Sequence, residues 1–197
     1  MQQIRGVVFD LDGTLVVEQH DYEAIRVELG FPAGLPLLEA VEGLPEAQQT
    51  EARFVLYRHE QLAASTARVN PGVVKFLDWL DERGILRGLL SRNSRAAVKA
   101  VLERCGLAFD TVITREDAPY KPRPHGLWEI CTIWGLPPNE VLMIGDYLYD
   151  MQAGKSAGTR TALVTHGRDL PFAHLADITF ASFEAVPDSL LRWIEGR

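Results

Sequence analysis

The stretch Val7-Val8-Phe9-Asp10-Leu11-Asp12-Gly13-Thr14-Leu15 decides how the rest of the chain is read, because in it an apolar run stops at two carboxylates, a glycine and a threonine. The β-branched and aromatic residues before Asp10 fit a buried strand, and Asp10 and Asp12 can project from one side of an extended segment. Gly13 then permits a sharp turn. Carboxylates this close repel each other unless a cation or a proton intervenes, so the arrangement calls for a divalent metal or unequal pKa values. Read alone, the stretch fits equally well a surface turn at Asp12-Gly13 with a strand-end acid before it. The chain downstream has to separate the two.

Residues 16–69 carry helical patterns and no strand pattern. Tyr22 to Leu29 has apolar residues at helical spacing, closed by Gly30 with Pro32 beyond it. Pro45 opens a longer helix through Ala67, with a stripe of Phe54, Val55, Leu62 and Ala63. A Pro- and Gly-punctuated segment between them has room for one short helix, from about Leu35 to Val41. From Asn70-Pro71-Gly72 onward, helices alternate with short apolar runs, the pattern of a parallel sheet covered by helices. Strands are expected at Ile85–Leu90, Thr111–Thr114, Val141–Ile144, Thr161–Val164 and Ile178–Phe180. Helices are expected at Gly72–Arg83, Ser94–Arg104, Pro124–Trp134 and Phe183–Ile194, with another carrying Asp150. Right-handed crossovers then give a three-layer, Rossmann-like α/β sheet with residues 1–15 and 70–197 as the core and 16–69 as a helical insert. Ligands bind beyond the carboxyl ends of such strands, where Asp10, Asp12, Ser91, Lys121 and Asp146 fall.

Composition narrows the possible partners. At 197 residues, one buried core with a modest elaboration is expected. A net charge of −7 argues against a broad nucleic-acid or anionic-membrane surface, which leaves a small partner. The run before Asp10 is too short for a signal peptide and no window approaches a membrane span, so a cytoplasmic protein is expected. Cys105 and Cys131 lie in helical stretches without ligand spacing and read as buried free thiols. Gly154-Lys155-Ser156 imitates the end of a nucleotide-binding loop, but Tyr149 stands where its first glycine is required. The histidines lack zinc spacing, and the four tryptophans sit on helix faces as packing residues.

Asp10-Leu11-Asp12-Gly13-Thr14-Leu15, Ser91 after an apolar strand, Lys121-Pro122, and Gly145-Asp146 with Asp150 resemble, in order, the four motifs of the haloacid dehalogenase (HAD) superfamily of phosphohydrolases. The insert is similar to the small helical cap of the phosphoglycolate phosphatase-like branch, and Ala153-Gly154 to Ala157-Gly158 follows that branch's pattern. The resemblance implies an HAD-like core and a Mg2+-dependent phosphatase for a small phosphorylated metabolite; a monomer or homodimer is expected, with the sequence leaving the choice between them open. Asp10 is then the nucleophile that forms an aspartyl-phosphate, and Asp12 the general acid and base, its pKa raised by burial among acids. Asp10, Asp146 and the Asp12 backbone carbonyl are implied as Mg2+ ligands, with Asp150 in support. Ser91, the amides of Arg92 and Asn93, and Lys121 are implied contacts to the phosphoryl group.

The chain departs from the family pattern where substrate is chosen. Val16-Val17-Glu18 replaces the usual acidic-serine pair, Tyr147 stands where small polar residues are common, and the insert is short. Arg53, Arg58 or His59 could meet an anionic leaving group, with His59 read first as a helix-surface residue and only second as such a contact. The competing readings are a phosphosugar mutase of the β-phosphoglucomutase type, using the same two acids, and a phosphate-binding regulatory protein without turnover.

Overall fold

The computed structural model describes residues 3–196, so residues 1, 2 and 197 of the expected core lie outside the described residues. Strands β1 (Gly6–Phe9), β2 (Leu86–Leu90), β3 (Thr111–Ile113), β4 (Val141–Gly145), β5 (Arg160–Val164) and β6 (Ile178–Phe180) form one parallel sheet in the order β3-β2-β1-β4-β5-β6. The order reverses at β1, where the crevice of an open parallel sheet forms. Phe9 is level with Leu89 on one side and Ile144 on the other, so Asp10, Ser91 and Asp146 leave the sheet at the same edge.

Alternation along each strand builds the three layers. Val7 and Phe9 of β1, with Leu142 and Ile144 of β4, face α4 (Val73–Asp81), α5 (Arg95–Cys105) and α8 (Asp188–Ile194). Val8 and Met143 point the other way, onto α6 (His125–Trp134) and α7 (Leu148–Ala157). Phe9 is fully buried and meets Phe76, Phe109 and Phe183 at ring-centroid distances of 6.2, 6.1 and 6.3 Å. On the opposite face the Trp134 ring lies across β1 and β2 where both carry glycine. A Cβ on Gly6 would fall 2.3 Å from that ring and one on Gly88 3.0 Å from it. Gly6→Ala is therefore expected to destabilise the fold by about 1–3 kcal/mol in urea unfolding, since a closely packed interior must move to admit the methyl. An unchanged midpoint would mean that the Trp134 ring is free to retreat.

Between β1 and α4 lie α1 (Tyr22–Leu29), α2 (Leu37–Glu42) and α3 (Glu46–Thr66), within residues 16–69. They bury a small core of their own, Ile25, Val41, Ala52 and Leu56, while α3 also packs along α5. Asp21 caps α1, its carboxylate accepting from the Ala24 amide at 2.9 Å, and Gly30 ends it in the left-handed region at φ 69°.

The last expected helix is shorter than its sequence pattern. Phe183–Ala185 forms a 3-10 turn, and α8 starts only at Asp188, after Pro187. Pro187 lacks an N–H and its ring disfavours helical backbone at Val186, so the chain extends there before helix resumes. Cys131 is buried and Cys105 half-buried, both as free thiols. Among the described residues no helix is long and apolar enough to cross a membrane.

Candidate active site

Four loops at one sheet edge converge on a cavity of about 290 Å³. Asp10 and Asp12 follow β1, Ser91, Arg92 and Asn93 follow β2, Lys121 comes from the loop between β3 and α6, and Asp146 and Asp150 follow β4. All of these sequence-predicted residues line the cavity.

Lys121 is 2% exposed, and its Nζ donates to Asp10 Oδ1 at 2.5 Å and to Asp150 Oδ1 at 2.7 Å. Burial alone would lower a lysine's pKa, but the two carboxylates more than offset it and Lys121 is held above its ordinary value as a cation. Burial pushes Asp10 well above the usual carboxylate range. Lys121 opposes that shift, and the charges of Asp150, Asp146 and Asp12 add to it. Asp150 has both oxygens engaged, because Oδ2 accepts from the Tyr147 amide at 3.0 Å.

Asp12 sits in a separate set of contacts. Its Oδ2 accepts from Asn93 Nδ2 at 2.6 Å, and its Oδ1 lies 3.6 Å from His20 Nδ1. Burial raises its pKa to about 6, against the lowering effect of His20 and the Asn93 hydrogen bond. His20 is clamped in turn by Glu18 at 2.8 Å, and Glu18 accepts from the Tyr22 hydroxyl at 3.0 Å. Burial works against a charged His20, but the Glu18 hydrogen bond and the charges of Asp12 and Glu18 lift it to about 9, so it is a cation at neutral pH.

Asp146 accepts from Thr14 Oγ1 at 3.4 Å, and burial with the charges of Asp150 and Glu18 lifts it to about 7. Gly13 makes this approach possible. It adopts φ +76°, and a Cβ there would lie 2.4 Å from Asp146 Oδ2, so both the turn and the space exclude a side chain. His166 Nε2 donates to the Gly13 carbonyl at 2.6 Å and braces the turn from the loop after β5.

One oxygen each of Asp10, Asp146 and Asp150 lie within 4.8 Å of one another. The donor set is all carboxylate, which suits a hard cation such as Mg2+ over zinc. With Asp150 committed to Lys121 and the Tyr147 amide, Asp10 and Asp146 are the side chains of this trio that can serve as ligands. Asp12, Glu18 and His20 also cluster within 4.8 Å, but there the imidazole acts as a cation between two carboxylates.

Ser91 is buried, with Oγ accepting from the Asn93 amide at 3.1 Å, which leaves its hydroxyl hydrogen to donate. Arg53, Arg58 and His59 do not reach the cavity, contrary to the sequence expectation. Arg58 pairs with Glu28, His59 Nε2 lies 2.9 Å from the same carboxylate, and Arg53 reaches Gln49 on its own helix. The neighbouring Glu60 faces inward instead and is 6% exposed. It pairs with Arg115 and accepts from Ser94 Oγ at 2.7 Å. Sequence reasoning passed over Glu60, Arg115 and the Glu18–His20 pair. Only the last left a local signal, an acid and an imidazole two residues apart just after the first acidic motif.

Comparison with known proteins shows the family and the fold. The haloacid dehalogenase-like hydrolase family matches residues 4–158. A haloacid dehalogenase-like hydrolase domain-containing protein of Arabidopsis thaliana is 34% identical over 174 residues, covering 82% of this chain and 71% of that protein. Phosphoglycolate phosphatase 1 of Pseudomonas aeruginosa is 31% identical over 191 residues, covering 83% of this chain and 70% of the relative. A crystal structure of a haloacid dehalogenase-like hydrolase from Bacteroides fragilis superposes with a TM-score of 0.77 at 22% identity, covering 93% of this chain and all (100%) of that one. With the parallel sheet, the four converging loops and a family match over most of its length, this chain belongs to the haloacid dehalogenase-like hydrolases.

Proposed function

We propose that this protein is a Mg2+-dependent phosphomonoester hydrolase, phosphoglycolate phosphatase-like in architecture, that works through an aspartyl-phosphate on Asp10. The observation that carries the reading is the division of the two acids. Asp10 is held by Lys121 beside Asp146, while Asp12 is held apart by Asn93 and His20 with a pKa of about 6. A nucleophile and a proton carrier need separate surroundings, and the contacts provide them: a lysine cation and a second acid beside Asp10, an amide and an imidazole beside Asp12. The phosphatases among its relatives support the same reaction class.

Asp10 and Asp146, with the Asp12 backbone carbonyl that the family resemblance adds, would hold Mg2+. When bound, Mg2+ supplies the positive charge that lets a phosphoryl dianion approach a carboxylate. The Asp10 oxygen not held by Lys121 attacks phosphorus, and the bond from phosphorus to the alcohol oxygen breaks. Asp12, protonated, gives that oxygen its proton. Asp12 then takes a proton from water, the resulting hydroxide attacks phosphorus, and Asp10 leaves as a carboxylate. Lys121 and the Ser91 hydroxyl, with the Arg92 and Asn93 amides, hold the phosphoryl oxygens throughout. Residues 16–69 act as a cap over the leaving group. The protein acts on a small phosphorylated metabolite in the cytoplasm, as a monomer or homodimer.

Phosphate release from a panel of phosphomonoesters is expected to vanish in EDTA and return with Mg2+. Mg2+ at about 100 times its Kd should also stabilise the fold by about 2.7 kcal/mol. That is a rise in Tm of roughly 5–10 °C for a chain of this size. Asp146→Asn should remove both effects. Full turnover in EDTA would sink the metal-dependent mechanism.

A further inference from the structure

The charged groups around the cavity are matched to one another in a way that bears on the leaving group. This inference rests on the phosphatase reading above. A divalent cation and a phosphoryl dianion cancel, so the rest of the substrate meets the charge of the protein wall alone. Each cation lining the wall already has a carboxylate. Arg92 Nη2 donates to both Glu39 oxygens at 2.8 Å, and its Nη1 donates to the Lys121 carbonyl. Arg115 pairs with the buried Glu60 through both terminal nitrogens, and its Nη1 also donates to the Arg92 carbonyl at 3.2 Å. Arg26 donates to Glu23 at 2.7 Å and to the Leu35 carbonyl at 3.0 Å. His20 stands between Glu18 and Asp12, and Lys121 between Asp10 and Asp150.

A substrate carboxylate or second phosphate would have to draw one of these cations from its partner and face the acid left behind, at the greatest cost at Arg115, whose partner Glu60 is buried, and at less cost at Arg92 and Arg26, whose partners are partly exposed. The remaining lining suits carbon and hydroxyl. Ile25, Leu38 and Leu56 give an apolar patch beside the Tyr22 and Tyr149 rings. Asn93, whose side chain holds Asp12, and the buried Ser91 hydroxyl are the uncharged polar groups of the same lining. We infer that the substrate is a phosphate monoester of a small, uncharged, hydroxylated alcohol, a sugar or polyol phosphate, and that carboxylated esters and bisphosphates are discriminated against.

Matched pairs test this. kcat/KM is measured with Mg2+ for glycerol 3-phosphate against 3-phosphoglycerate, and for fructose 6-phosphate against fructose 1,6-bisphosphate, with p-nitrophenyl phosphate reporting phosphatase chemistry separately. The neutral member of each pair is expected to be preferred by about tenfold or more, the effect of one unfavourable charge contact. Glu60→Gln and Glu39→Gln each release a guanidinium, and should shrink the glycerol 3-phosphate preference by roughly threefold to tenfold. Glu39, being partly exposed, gives a variant that keeps the test available should Glu60→Gln fold poorly. Equal or better turnover of the charged members, or an unchanged ratio in Glu39→Gln, overturns the inference while p-nitrophenyl phosphate turnover upholds the chemistry. Loss of turnover on every ester overturns the phosphatase reading, and this inference with it.

Discussion

Asp10→Asn is expected to lower phosphate release by on the order of 10⁴-fold or more, since removing the nucleophile from a set of groups that act as a unit leaves little of their rate enhancement. The fold should survive the change. An amide keeps one oxygen to accept from Lys121 and occupies the same volume. It also removes a charge that burial and the neighbouring Asp150, Asp146 and Asp12 already oppose, since together they hold the Asp10 pKa well above its ordinary value. The metal-free variant is therefore expected to melt at the same temperature as the parent or somewhat higher. Lost turnover with unchanged melting assigns the defect to chemistry. Retained turnover, checked by single-turnover phosphate release to exclude trace parent enzyme, would mean that another group attacks phosphorus.

The sequence exposed the reaction centre more clearly than the walls around it, and the reason lies in the sheet. Each strand of a doubly covered parallel sheet is an apolar run, so the polar residue that ends the run marks the edge where ligands bind. Phe9-Asp10, Leu90-Ser91 and Gly145-Asp146 all show that break. Lys121 is legible for a different reason: it stands in a proline-rich loop that fits no helix or strand.

The helices between β1 and α4 give no comparable signal. In α3, Arg58, His59 and Glu60 are consecutive polar residues, and composition does not say which of them faces the core. Arg58 points to solvent and Glu60 is buried, because Arg115, 55 residues further along, supplies its counter-charge. Such a pair exists only once α3 has packed on α5, and a burial pattern derived from apolar residues cannot anticipate it. The Glu18–His20 pair is closer in sequence, but its contact with Asp12 depends on how the chain turns at Gly13. For the same reason Arg58 and His59, cationic candidates by composition, turn toward Glu28, and Arg53 toward Gln49.

Lys121→Met should damage stability and activity together. Methionine approximates the length of the buried stem, so the cavity term is small and the charge term dominates. Lys121 holds two carboxylates at 2.5 and 2.7 Å in a site that water barely reaches. Removing one partner of a buried ion pair typically costs about 3–5 kcal/mol, because the charge left behind is uncompensated. For a chain of this size that is a fall in Tm of roughly 6–20 °C, measured in EDTA so that no divalent cation substitutes for the ammonium. The deficit has a pH signature. Lys121 is the group that lowers the Asp10 pKa most, so without it Asp10 retains its proton to higher pH in the folded state. A carboxyl whose folded pKa is raised loses stability as pH rises toward that value; parent and variant lose it in step up to the parent's own Asp10 value and diverge above it, so the gap should be no smaller at pH 8 than at pH 5.5 and should widen wherever the pH passes that value. Loss of packing alone would leave the gap independent of pH. Turnover should fall by about 10²–10³-fold as well, the usual cost of losing a fixed donor to a developing anion. A variant that melts with the parent at both pH values would show that Asp10 and Asp150 find water or each other as partners once the lysine is gone, and that Lys121 serves the phosphoryl group rather than the fold.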